Sequence, residues 1–321
     1  MIPDEWFTQA AERIAPHIHI TPFSYDAQND LYLKWENHQV TGSFKARGAL
    51  NKVLGLQAWE RQQGLVTASA GNHGQGVALA GKLVGAPVVV FASEHATPAK
   101  VEAMQALGAE VRLVQGGYGE AEQAGLQYAA KCGLTWVSAY NDGQVIAGQG
   151  TLGLEILHQW EDPRQPTWVV PTGGGGLAAG IGAVVHKKSP GGAKLVAVSS
   201  EASPFLHGFY STGSQTGIVE LPSLADGLAG PVEQGSVTIP LVQKYIDEFC
   251  LVTEEDIRRA IAFAWKRYTE RIEGSAATAL AAVLYGKINA RPAIVVLTGG
   301  NIQPEVHAKI IHSEKNDNHS R

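Results

Sequence analysis

The chain has 321 residues, 45% of them hydrophobic and 17% charged, with a formal net charge of −5. That length can bury a sizeable core in two domains, and a mildly acidic balance without a basic cluster excludes nucleic acid as an expected partner. No apolar stretch reaches bilayer-spanning length, Asp4 and Glu5 stand where a basic leader would begin, and Cys132 and Cys250 have no metal spacing, so a cytoplasmic protein with two reduced, buried cysteines is expected.

In chain order, short apolar β-branched runs predict strands at Leu65–Ser69, Pro87–Phe91, Glu110–Val114, Thr135–Ser138, Thr167–Val170, Lys194–Val198 and Ala293–Leu297. Helical stretches fall between them at Gly76–Leu83, Pro98–Leu107 and Gln144–Trp160. Thr253 followed by Glu254, Glu255 and Asp256 reads as a helix start, a capping hydroxyl with acids in the first turn. Near-continuous apolar strands crossed by helices mean an α/β protein with doubly wound parallel sheets covered on both faces. There is no internal repeat, and the polar tail Ser313–Arg321 predicts a frayed end.

Two features carry chemistry. Lys45 lies in Thr41-Gly42-Ser43-Phe44-Lys45-Ala46-Arg47-Gly48, and four consecutive glycines, Gly173 to Gly176, follow the strand-like Thr167–Val170 and precede the helix-like Leu177–Ile181. A lysine that attacks a carbonyl must lose its proton and be held against its target. Contiguous glycines at a strand–loop–helix junction let backbone N–H groups and a helix N-terminus close on an anion. The loop lacks the Gly-Lys-Ser/Thr ending of a Walker A sequence and the spaced glycines of a dinucleotide fingerprint, which argues against a nicotinamide dehydrogenase. One lysine for an aldehyde and one glycine cradle for a phosphate are the two handles of pyridoxal 5′-phosphate (PLP).

Further segments extend the pattern. Ser69-Ala70-Gly71-Asn72-His73-Gly74-Gln75-Gly76 follows one predicted strand and Leu297-Thr298-Gly299-Gly300-Asn301 ends another, while Thr21-Pro22 stands near the start. Together with the Lys45 block, these resemble the fold type II PLP enzymes, of the tryptophan synthase β-like fold, in the threonine dehydratase and serine racemase branch. The resemblance runs from about Thr21 to Asn301 with the motifs in family order. It implies a small α/β domain, residues 65–140, inserted in a large PLP-binding domain of residues 1–64 and 141–321, with the cofactor in the cleft between them. It also implies a homodimer. Because the chain ends soon after its last predicted strand, no isoleucine-responsive regulatory domain is expected.

The same resemblance assigns roles. Lys45 forms the Schiff base and afterwards acts as the base on the substrate α-proton, with Phe44 packed beside the cofactor. Asn72 bonds the PLP 3′-oxygen, although an Asn at a helix start also caps well. Gly173, Gly174, Gly175, Gly176 and Leu177 donate backbone N–H groups to the phosphate. Thr298 lies against the pyridine nitrogen, where the relatives carry a serine; a neutral hydroxyl makes a weaker electron sink than an aspartate and suits elimination better than transamination. Ser69, Ala70 and Gly71 offer amides to the substrate carboxylate, with Asn72 and His73 adjoining, and His73 orients this loop more readily than it transfers a proton. In the serine racemase-like relatives an acid at Glu201 joins an aspartate in binding a divalent cation; His207 stands about where that aspartate would be, a poor match for magnesium, so no metal is expected. Asp226-Gly227 reads as a structural turn.

The expected reaction is α,β-elimination on L-threonine or L-serine, giving a 2-oxo acid and ammonia. A bulkier or acidic 3-hydroxy amino acid (3-hydroxyaspartate, phenylserine) remains open as substrate. The runner-up is a serine racemase, β-replacement of the cysteine synthase kind comes third, and a non-catalytic PLP-binding protein is the alternative from another class. A racemase needs a proton-transfer group on each face of the reacting carbon, and where the racemases carry a serine this chain has Ala70.

Overall fold

The alternation of apolar runs and helices resolves into two separate sheets in the computed structural model of the chain, which describes residues 2–189 and 193–317. The strands are β1 Phe23–Asp26, β2 Leu31–Trp35, β3 Leu65–Ala68, β4 Val88–Ser93, β5 Glu110–Val114, β6 Thr135–Trp136, β7 Thr167–Pro171, β8 Lys194–Ser200, β9 Glu248–Val252 and β10 Ala293–Leu297. The helices are α1 Asp4–Ile14, α2 Lys45–Gly55, α3 Ala58–Gln63, α4 Asn72–Val84, α5 Pro98–Ala106, α6 Tyr118–Cys132, α7 Gly143–Gln159, α8 Gly176–Lys188, α9 Phe205–Thr212, α10 Thr238–Tyr245, α11 Glu254–Tyr268, α12 Gly274–Leu284 and α13 Pro304–Asp317. A six-stranded sheet has the order β1-β2-β10-β7-β8-β9, and a four-stranded sheet the order β5-β4-β3-β6. All pairings are parallel except β1 with β2.

Every strand of the smaller sheet lies between residues 65 and 136, and the larger sheet draws on both flanks. Packing is less tidy than topology: the core under the smaller sheet also takes Ile14, Ala46, Ala49, Leu50, Val53 and Leu56 from α1, α2 and the turn after it. The helix that begins with Lys45 thus packs between α4 and α7.

Several strand ends differ from the sequence reading. β6 stops at Trp136, and β1, β2 and β9 have no counterpart among the predicted strands. In β2 the run Leu31–Trp35 is interrupted by Lys34, a charge that masks a buried strand. The tail expected to fray from Ser313 instead continues α13 to Asp317, and residues 318–321 lie outside the described ones. Cys250 is half-buried but Cys132 is exposed at the last position of α6, against the expectation that both are buried; each is a free thiol. Thr253 does cap α11, accepting a hydrogen bond from the Asp256 amide at 3.1 Å. Among the described residues no helix is long and apolar enough to cross a membrane.

Beneath the site-bearing loops lies a buried ionic network. Arg47 donates to both oxygens of Glu36 (2.7 and 2.8 Å) and to Glu155 (2.8 Å), while Thr21 Oγ1 donates to Glu36 at 2.5 Å. Lys34 Nζ donates to Glu155 at 2.5 Å. Removing one partner of such a network strands an uncompensated charge, so it fixes α2, α7 and the Thr21-Pro22 turn together. α7 and α2 approach so closely that a Cβ on Gly148 would lie 2.7 Å from the Arg47 carbonyl oxygen. Gly148→Ala is therefore expected to destabilise the fold by about 1–3 kcal/mol. Gly119→Ala in α6, where a Cβ meets nothing within 4 Å, should stabilise it by roughly 0.5–1 kcal/mol. Urea midpoints of the two variants check both signs.

Candidate active site

The loop carrying Lys45 is stitched to the loop after β10 by backbone pairing. Gly300 N donates to Gly42 O at 3.0 Å and Phe44 N to Thr298 O at 3.0 Å, with Ser43 bridged to Gly299 between them. Gly42 has φ +70°, and a Cβ there would lie 2.6 Å from Asn301 Oδ1. Glycine is required on both counts. This pairing sets Lys45 and Thr298, 253 positions apart in the chain (298 − 45), on the same side of the larger sheet.

Lys45 begins α2 and its Nζ donates to the Ala139 carbonyl at 3.2 Å. Burial lowers its ammonium to a pKa of about 8, opposed by the negative charge of Glu273. Lys34 is a useful contrast, because it is fully buried yet its Nζ bonds Glu155, Thr21 O and Gln159 at 2.5–2.7 Å. One lysine is locked into structure; the other has a single neutral acceptor and an easily lost proton.

Asn72 begins α4, whose Gly76 lies so near α2 that a Cβ would be 3.2 Å from the Lys45 carbonyl oxygen. The Asn72 amide is oriented by its partners: Oδ1 accepts from Asn301 Nδ2 at 2.7 Å, and Nδ2 donates to Glu273 Oε1 at 2.7 Å. Asn301 Nδ2 also donates to Thr41 O at 2.9 Å, which fixes its own amide. Nδ2 of Asn72 keeps a second N–H for an oxygen placed beside it. Glu273 was not singled out from the sequence. It stands just before α12 with its carboxylate turned to Asn72, and burial, then the charge of Asp226, raises its carboxyl to a pKa of about 7.

The four glycines form the turn between β7 and α8. A Cβ on Gly174 would stand 2.4 Å from the Tyr140 ring, one on Gly173 2.8 Å from Leu228 Cα, and Gly175 has φ +89°. Side chains are excluded at each position. The Ala179 amide bonds Gly175 O, so the amides of Gly173 to Leu177 precede the helical ladder, the arrangement that binds anions at a helix start. Leu177 is buried, with Phe44 packed at the edge of the same cluster, and Thr298 is buried at the end of β10. These donors, with a desolvated amine, fit a phosphorylated aldehyde.

The turn after β3 is more constrained than its sequence suggests. Ser69 N donates to Phe91 O at 2.9 Å as part of the sheet, and Gly71 N donates to Ser69 Oγ at 3.1 Å. Of the three amides expected to face a carboxylate, those of Ser69 and Gly71 have partners within the protein. His73 is buried, with Nε2 bonded to Val137 O at 3.0 Å. Burial, then the nearby Lys45 cation, lowers it to a pKa of about 3, so it is a neutral brace for this turn. Glu201 is exposed, His207 packs edge-on against Phe249 (centroids 5.3 Å apart), and among the described residues no three His, Cys, Asp or Glu are grouped to hold a metal. Asp226, read as a turn residue, does begin a single 3-10 turn over Asp226–Leu228, and its carboxylate also accepts from Lys100 of α5 at 2.5 Å.

Comparison with known proteins agrees with this geometry. The family described as pyridoxal-phosphate dependent enzyme matches residues 8–299. The chain belongs to that family. An L-threonine ammonia-lyase of Thermotoga maritima is 38% identical over 97% of this chain and 79% of its own. A threonine deaminase from T.th. is 33% identical, with a TM-score of 0.83 over 94% of this chain and 98% of that one. Maize serine racemase superposes with a TM-score of 0.86 at 27% identity, over 98% of both chains. The cofactor of this PLP-dependent enzyme is pyridoxal 5′-phosphate, and its fold is the fold type II expected from the motifs.

Two outcomes test the cradle and the lysine. Gly174→Ala should weaken PLP binding about tenfold or more, since each displaced backbone donor costs about 1–3 kcal/mol; titration of apoprotein with PLP measures it. Uptake of PLP by apoprotein should accelerate as pH rises and level off above about 8, where Lys45 has lost its proton. A rate still climbing beyond pH 9 would mean that the reacting amine is an ordinary solvated lysine.

Proposed function

We propose that this chain is a PLP-dependent ammonia-lyase that dehydrates L-threonine and L-serine to a 2-oxo acid and ammonia. The observation that carries the reading is Lys45, a half-buried amine of lowered pKa beside an anion-binding glycine turn, with Ala70 where the racemases carry a serine. The relatives named for threonine ammonia-lyase and threonine deaminase support the substrate class.

Bound PLP supplies an electron sink that makes the substrate α-proton acidic. The protein's own groups do the rest. Gly173 to Leu177 would hold the phosphate end, and Asn72, oriented by Asn301 and Glu273, would offer its remaining N–H to the 3′-oxygen. The Ala70 amide and the α4 N-terminus attract the substrate carboxylate. Lys45 Nζ, little solvated and without a bonded carboxylate, accepts the α-proton, and the β-hydroxyl leaves as water when its C–O bond breaks, the proton it takes up balancing the one lost from the α-carbon. The released enamine then hydrolyses, taking up one water and freeing ammonia. The 225–229 segment packs on the glycine turn through Leu228.

A racemase would have to return a proton from the other face, and the Ala70 methyl has none to give. Incubation with L-serine should therefore yield pyruvate with little D-serine on chiral chromatography; D-serine forming as fast as pyruvate would overturn the assignment. Lys45→Ala is expected to lower ammonia release by about a thousandfold or more while the far-UV circular dichroism stays that of wild type. Turnover within tenfold of wild type would remove Lys45 from its role. In this reading the protein is a two-fold homodimer in the cytoplasm, and light scattering at micromolar concentration should give twice the chain mass.

A further inference from the structure

Lys100 has no role in the proposed reaction and no local sequence signal, yet it stands over the substrate turn. It lies in the first turn of α5, and a Cβ built on Gly71 would meet its Cδ, Cε and Nζ at 3.7–3.8 Å. Its side chain is 17% exposed, and Nζ bonds Asp226 Oδ2, whose side chain is 59% exposed. Glu273 experiences the charges of both Lys100 and Asp226, which places the pair at the cleft that holds Asn72 and Lys45. The amides of Ser69 and Gly71 already have partners.

We propose that Lys100 is the cationic contact for the substrate α-carboxylate, and that Asp226 parks its ammonium until substrate arrives. This rests on the ammonia-lyase reading. The turn beneath Lys100 has one free amide and the positive end of α4, and a full charge above it completes a clamp from the opposite side. An ammonium has three donors, and the bond to Asp226 uses one of them. Because Asp226 is largely solvated, its hold on the ammonium is weak, and a carboxylate arriving in the drier cleft displaces it. Lys100 and Asp226 therefore act in opposition on affinity, whereas a mere brace across the cleft would need both equally.

The test uses PLP-loaded protein and two readouts: Kd for L-threonine from the change in the visible cofactor band, and the split between KM and kcat. Lys100→Met should raise Kd and KM for L-threonine at least tenfold and leave kcat within threefold, and Lys100→Arg should recover most of the loss. Asp226→Asn should leave Kd unchanged or lower it. If Asp226→Asn raises Kd as far as Lys100→Met does, the pair is a brace and the proposal fails. It also fails if Lys100→Met weakens 3-hydroxyaspartate but not L-threonine, because Lys100 then reads a side-chain carboxylate. A wild-type band that does not respond to L-threonine removes the ammonia-lyase reading itself, an outcome distinct from either.

Discussion

A lysine amine kept in a poorly solvated place without a bonded carboxylate is the condition on which this cleft depends. Burying an ammonium is unfavourable unless a counter-charge offsets it, and elsewhere the protein supplies one: Lys34 has Glu155, Lys52 has Asp142, and Arg47 has Glu36 and Glu155. Lys45 has one carbonyl oxygen and a more distant Glu273, whose own carboxyl is raised to a pKa of about 7. The unfavourable placement is a local cost carried by the surrounding fold. Arg47, two residues on, is among the most completely buried side chains, and its ion pairs hold the helix that would otherwise let Lys45 turn toward water.

The second constraint is geometric. α2, α4 and α8 begin at the cleft with Lys45, Asn72 and Gly176, and α12 begins after Glu273, whose carboxylate meets Asn72. Four helix N-termini on one cavity raise its affinity for anions and make a neutral amine easier to keep than a cation. A cofactor with a phosphate and a substrate with a carboxylate both exploit that field. For α4 and α8 the convergence follows from the sheets, because in parallel α/β layers the helices that follow strands start at the strands' carboxyl ends. The pairing of residues 42–44 with 298–300 then joins a helix that follows no strand directly to the same rim.

Much of this was legible in the sequence, for physical reasons. Strands buried on both faces leave apolar runs, so seven of the ten strands described could be read, and glycines forced by close approach or positive φ mark the anion turn. The misses have causes of the same kind. Lys34 interrupts β2, because its charge is neutralised by partners far away in the chain. Glu273 and Lys100 act on the cleft from elements distant in sequence, Glu273 through Asn72 and Lys100 over Gly71, and an isolated acid or lysine carries no local pattern. At Ser69 and Gly71 the motif located the turn, but the acceptors of their amides, Phe91 O and Ser69 Oγ, follow from the fold and leave no mark in the sequence.

Two lysines therefore stand at the cleft, one assigned to the cofactor and one to the substrate. Reduction of PLP-loaded protein with borohydride, followed by digestion and mass spectrometry, separates them. The account predicts the pyridoxyl mass on the peptide containing Lys45 and none on Lys100. Label on Lys100, or on any lysine other than Lys45, would contradict it.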